Sequence, residues 1–196
     1  MKNAKIKAMV GVALLMAMVI VLQFVGGMIP PIGGTVSISL VLNPIVLGSA
    51  VFGPGAGALL GGTFAVVTII NCITGADAGG AMVFQANPVL CILVVGAKSI
   101  LAGLASGYVY KLLAKRNGYI AMLCAAIVCP VVNTGVFVSC MALFFSDVLN
   151  AWAGGSNVLS YVLMSLILCN FIPEMLINVV FSPAGNNIVR IVHKTK

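Results

Sequence analysis

Apolar residues in this chain run on continuously instead of alternating, as in Met9–Val25 and Val89–Val95. A helix needs about 20 such residues to cross a hydrocarbon layer of about 30 Å. A barrel strand would alternate polar and apolar positions over about 10 residues, so the pattern predicts helices. Six are expected, at about 6–25, 37–52, 54–73, 88–113, 119–145 and 161–180. The breaks are chemical. Gly26-Gly27 and Pro30-Pro31 end the first span, and Gly53-Pro54-Gly55 separates the second from the third. Thr74 to Ala86 reads as a loop, and Pro88 sits at a favoured helix start. Lys115-Arg116-Asn117-Gly118 is a basic turn, and Asp147 to Ser160 reads as a polar loop. Pro130 and Pro173 lie inside spans as expected kinks, while Ser182-Pro183-Ala-Gly-Asn-Asn187 is expected to end the last one.

Composition changes this from a pattern to a class. Hydrophobic residues make up 62% of the 196 and charged residues 7%, and mean hydropathy is +1.22. A soluble domain carries about 25% charged residues, so this surface must face lipid. Six spans use most of residues 1–196 as one integral membrane domain and leave little for a soluble catalytic domain. Lys2, Lys5 and Lys7 before an apolar run imitate a signal peptide, but the run reaches Val25, long for such a segment. It reads as a retained first helix.

Charge sets the orientation. All Lys and Arg residues except Lys98 lie at the N-terminus, around the turn between the fourth and fifth spans, or in the C-terminal tail. With six spans these regions share one side, which the positive-inside rule makes cytoplasmic. Both termini are then cytoplasmic, and Asp77, Gln85 and Asp147 lie outside. The net charge of +7 thus reflects topology in a multi-pass cell-membrane protein of bacterial type. No basic face interleaves with aromatics, so nucleic-acid binding is an unattractive reading.

Two charges remain at mid-depth: Lys98 in the fourth span and Glu174 in the sixth. An ionised side chain there costs at least about 2.5–3.5 kcal/mol, so it should face the interior with a partner. Two readings stand side by side. One is a structural Lys98–Glu174 pair; the other is a Lys98 that binds an anionic substrate group. Gln85, Asn87, Asn133, Thr134 and Asn170, with Asn43 and Asn71, bring amides and a hydroxyl to an outward-facing pocket, though Asn87 would equally cap the fourth span. Each alone is more often a helix–helix hydrogen bond. Trp152 and Tyr161 read first as interfacial anchors. The cysteines, Cys72, Cys91, Cys124, Cys129, Cys140 and Cys169, form no CxxC or Cys/His cluster and read as small apolar residues. His193 sits in the basic tail. No HExxH, GxSxG or P-loop is present, so no enzyme, cofactor or metal site is expected, and transport energy would come from another chain. A short echo, Asn43-Pro44-Ile-Val-Leu against Asn87-Pro88-Val-Leu-Cys, hints at a repeat but is too brief to weigh.

The first span offers a close-approach face. Ala13-Leu-Leu-Met-Ala17 puts alanines one turn apart, and Ala4 and Ala8 repeat the spacing. Together with Ser37-Ile-Ser-Leu-Val-Leu-Asn-Pro44 and Val51-Phe-Gly-Pro-Gly-Ala-Gly-Ala-Leu-Leu-Gly-Gly62, this order resembles the S components of energy-coupling-factor (ECF) vitamin transporters over nearly the whole chain. The resemblance implies a subunit that binds a vitamin from outside and topples in the membrane to release it. It implies docking of Ala13 and Ala17 on a transmembrane scaffold subunit with two ATPase subunits below, and a pocket where Gln85, Asn87, Lys98, Asn133, Asn170 and Glu174 fall. Phe84-Gln-Ala-Asn-Pro88 is similar to the pantothenate-type subgroup. The alternatives are a self-contained small secondary carrier or channel, and a structural membrane subunit that binds no small molecule.

Overall fold

A computed structural model describes residues 2–27 and 40–194. The loop prolines Pro30 and Pro31 and the expected start of the second helix at Ser37 lie outside the described residues. The described chain is all helix: α1 (Lys2–Gly27), α2 (Leu42–Phe52), α3 (Pro54–Thr74), α4 (Ala78–Ala86), α5 (Pro88–Leu113), α6 (Gly118–Phe144), α7 (Ser146–Ala153), α8 (Val158–Tyr161), a π-helical stretch (Val162–Phe171) and α9 (Ile172–Lys194). Five spans are long and apolar enough to cross a membrane: Lys5–Gly27, Pro54–Thr74, Pro88–Leu113, Gly118–Phe144 and Val158–Val192. The shorter α2 is the most enclosed, with Leu42, Ile45, Val46, Ser49, Ala50 and Val51 buried among its neighbours. The chain is an all-α polytopic membrane protein.

Lipid tails are as apolar as leucine, so these helices gain little by hiding apolar faces from lipid and must be held by close packing. The tightest seam joins α3 to α5. A Cβ on Gly57 would collide with the Gly103 carbonyl, and one on Gly103 with the Gly57 carbonyl. A Cβ on Gly61 would meet the Ser99 carbonyl, and one on Gly107 would lie 2.6 Å from Pro54 Cα. Gly57 and Gly61 on α3 thus oppose Ser99, Gly103 and Gly107 on α5, each set spaced by one helical turn. Ser49 of α2 joins the seam through a 3.0 Å Oγ–Oγ hydrogen bond to Ser106. The two hydroxyl protons serve that contact and the Val46 and Gly103 carbonyls two at a time: whichever serine donates across the seam gives up its own carbonyl.

Two apolar clusters form along the bundle. One gathers Leu15, Val19, most of α2, Leu60, Ala102, Ala125, Cys129 and Val189. The other gathers Cys72, Val83, Cys91, Val95, Met141, Trp152, Tyr161 and Leu166. Trp152 and Tyr161 are therefore core residues, each 8% exposed, and not the interfacial anchors the sequence suggested.

Three expected breaks are helical instead. Within 74–86, Gly75 (φ 76°) ends α3 in the left-handed conformation, and Asp77 caps α4 by accepting the Gly80 N–H at 3.1 Å. Within 147–160, α7 buries Val148, Leu149, Trp152 and Ala153 and stops at Gly154 and Gly155, both at positive φ. Its polar side dominates a hydropathy average and hides the apolar one. The last helix does not end near 180 but continues through Pro183 to Lys194. Ser182, Gly185 and Asn186 are buried there, so packing outweighs the breaker residues.

If the α3–α5 seam fixes the bundle, Gly61→Ala and Gly103→Ala each destabilise it by about 1–3 kcal/mol through overpacking. Gly62→Ala, where nothing lies within 4 Å of the added methyl, is neutral. Thermal unfolding in detergent checks the contrast.

Candidate functional site

The two apolar clusters are interrupted by polar residues that share a depth. Lys98 lies between Val95 and Ala102 on α5; Asn133 and Thr134 lie between Cys129 and Met141 on α6; Asn170 and Glu174 follow Leu166. Together with Gln23, Phe64, Thr68, Asp77 and Phe137 they line one narrow cleft of about 70 Å³.

Lys98 is the centre of this cleft. Its Nζ sits 4.7 Å from the Phe137 ring centroid and 5.7 Å from that of Phe64. Both are within cation–π range, worth about 2 kcal/mol when desolvated. The carboxylates of Glu174 and Asp77 also act on it, Glu174 the more strongly. Glu174 is 2% exposed, and its carbonyl accepts the Asn178 Nδ2–H at 2.8 Å. Phe137 in turn packs against Trp152, with centroids 6.4 Å apart, which ties the cleft wall to α7. Across the cleft, Gln23 Nε2 donates to Thr68 Oγ1 at 3.5 Å, joining α1 to α3.

Two cleft amides have buried acceptors without a protein partner among the described residues: Asn133 Oδ1 and Asn170 Oδ1. Buried acceptors are almost always satisfied, so these suit a molecule that donates hydrogen bonds. The cleft thus offers one ammonium, two carboxylates, amides and hydroxyls between aromatic walls. Among the described residues no nucleophile–base pair is assembled in it. It can hold and orient a small polar molecule.

Four of the six residues singled out from sequence meet here: Lys98, Asn133, Asn170 and Glu174. Gln85 and Asn87 do not line the cleft. Gln85 is exposed on α4, and Asn87 caps α5, its Oδ1 accepting the Leu90 N–H at 3.1 Å. Asn43 lines a separate, apolar groove, and the Asn71 carbonyl accepts the Asp77 N–H at 3.2 Å. Ala13 and Ala17 are exposed on α1, beside exposed Met9, Val10, Leu14 and Val21. Gln23, Phe64, Thr68 and Phe137 were missed. Phe64 and Phe137 look like any other apolar span residue, and Gln23 sits near a helix end where polarity costs little.

The last helix holds a further pattern that sequence reading missed. Asn170, Glu174, Asn178, Ser182 and Asn186 recur every four residues, and all are buried. Just before it, the Ile172 N–H bonds five residues back to the Ile167 carbonyl. Pro173 supplies no N–H of its own, and a π turn there is a known accommodation near functional sites.

A polar cleft inside an apolar bundle of spanning helices marks a membrane protein able to hold a small polar molecule. The family model described as ECF transporter, substrate-specific component, matches residues 7–184, and the chain belongs to that family. It is therefore a transporter subunit and not an enzyme. Among curated proteins, none is similar enough to match the chain.

The cap and cleft roles separate experimentally. Asn87→Ala should lower stability by about 1 kcal/mol and Asn87→Ser should recover most of it, the behaviour of an N-cap. Gln85→Ala should lie within about 0.5 kcal/mol of the parent. Chemical or thermal denaturation of the three variants provides the comparison.

Proposed function

We propose that this subunit captures a vitamin or related micronutrient in the Lys98 cleft and delivers it across a bacterial cell membrane with partner chains. A transmembrane scaffold subunit would dock on the α1 face carrying Ala13 and Ala17, and two ATPase subunits would supply the energy. Family membership supports the general scheme. The observation that carries the ligand reading is Lys98, an ammonium held between two aromatic rings at the wall of a cleft with unmatched amide acceptors. A structural ion pair alone needs neither the cleft nor those acceptors. Pantothenate is the first ligand to test: its carboxylate suits Lys98, and its hydroxyls and amide suit Asn133 and Asn170. Glu174 then tunes Lys98 from the far wall. Gln85 and Asn87, beside the α4–α5 junction, would act at the approach to the cleft.

Thermal stabilisation across a vitamin panel is the direct measurement. A ligand at about 100 times its Kd raises stability by about 2.7 kcal/mol. One vitamin should do so, and the chain alone in liposomes should bind it without accumulating it. Lys98→Met should weaken binding about 10- to 100-fold, the worth of a hydrogen bond to a charged group, with Lys98→Arg retaining part of it. Uptake by the chain alone would instead establish a self-contained carrier. Stabilisation by no vitamin would favour a structural subunit.

A further inference from the structure

A second polar cleft lies at the opposite end of the bundle, where the C-terminal end of α5, the start of α6 and the last turns of α9 meet. It holds about 450 Å³ and is lined by Tyr110, Asn117, Gly118, Asn186 and Arg190, among others. Tyr110 and Asn186 are each 8% exposed. Both side chains face the cleft wall. Asn186 reaches this place because Gly118 has no side chain: a Cβ there would lie 3.2 Å from Asn186 Oδ1.

The cleft is rich in donors and lacks acids. Arg190 brings a guanidinium, Tyr110 a hydroxyl, and Asn186 and Asn117 amide N–H groups. Asn117 Oδ1 is already committed, accepting the Tyr119 and Ile120 N–H groups. Lys111 stands in the last turn of α5, and Lys115 and Arg116 in the turn that follows. The chain's acids are Asp77, Asp147 and Glu174, none of which lines this cleft. Among the described residues no side-chain carboxylate of the cleft offsets its positive field.

Depth narrows the ligand. Tyr110 lies 22 residues along α5 from Pro88, about 33 Å at 1.5 Å per residue. The hydrocarbon layer is about 30 Å thick, so the cleft falls at headgroup level. Basic pockets between helices at that level bind anionic headgroups. We propose that this cleft binds the phosphate of an anionic lipid in the leaflet on the Lys/Arg-rich side, with Arg190 supplying charge and Tyr110 and Asn186 the directed hydrogen bonds.

The test uses the full chain purified in detergent with phosphatidylglycerol, phosphatidylcholine or inorganic phosphate, read by native mass spectrometry and melting temperature. The wild type should retain phosphatidylglycerol over phosphatidylcholine and be stabilised by it. The Arg190→Gln/Tyr110→Phe double variant should retain about tenfold less, while its melting temperature in phosphatidylcholine stays that of the wild type, which shows that it is folded. Arg116→Gln, in the exposed turn, should retain nearly as much as the wild type. Equal retention of the two lipids, or of phosphatidylglycerol by the double variant and the wild type, overturns the proposal. Equal stabilisation by inorganic phosphate overturns the lipid as the source of the anion.

Discussion

The α3–α5 seam is the contact on which the rest of the molecule depends. Without a hydrophobic drive between helices in lipid, affinity must come from atoms that touch, and backbones touch only where side chains are absent. Gly57, Gly61, Gly103 and Gly107 provide that absence. The seam does more than hold two helices. Its outer limit is the contact between Gly61 and the Ser99 carbonyl. One residue from Ser99 is Lys98, and one turn from Gly61 is Phe64. The close backbone approach therefore delivers the ammonium to the ring, and the cleft begins where the glycines stop.

Beyond the seam, the bundle carries a polar layer between two apolar clusters. Such a layer is expensive, because unpaired polar groups have no water at that depth. Lys98 lowers its own cost through Phe64 and Phe137 and the nearby carboxylates, without needing a single fixed ion-pair geometry. Asn133 and Asn170 leave acceptors unmatched. A layer built only for stability would close on itself, and the open acceptors locate the departure from that rule where the walls also separate into a cleft.

Much of this was legible in the sequence, and the failures have physical causes. Span number and class follow from the length of apolar runs, a property of the bilayer more than of the fold. Lys98 and Glu174 stood out because charge at mid-depth is rare. By contrast, α7 is short and amphipathic, and α4 is short and opens on Gly79-Gly80, so averaging over a window erased the one and the glycines disguised the other. Asp77 looked like a loop charge, yet it caps α4 and lines the cleft, one carboxylate serving both. Asn87 read equally as a ligand amide or a cap, because both roles require the same chemical group in the same place, and its Oδ1 caps α5. Phe64 and Phe137 were invisible because an aromatic residue that faces a cation is spelled like one that faces lipid.

The polar residues of the last helix show how one spacing can serve several surroundings. An α-helix turns about 100° per residue, so a step of four residues advances about 40° around the axis beyond a full turn. Side chains repeated every four residues therefore wind slowly about the helix instead of sharing one face. Asn170 and Glu174 line the Lys98 cleft, Asn178 and Ser182 line the apolar groove beside α1 and α2, and Asn186 lines the basic cleft at the far end. Continuity through Pro183 is what makes this work. A helix that ended near residue 180, as its breaker residues suggested, would leave Ser182 and Asn186 in a loop, and Asn186 would have no fixed address opposite Gly118. The proline is tolerated because the buried face on either side of it, from Asn178 to Val189, is held by α2 and α6. Tertiary packing thus overrides local propensity at the point where the chain must carry one rigid element from the Lys98 cleft to the opposite end of the bundle.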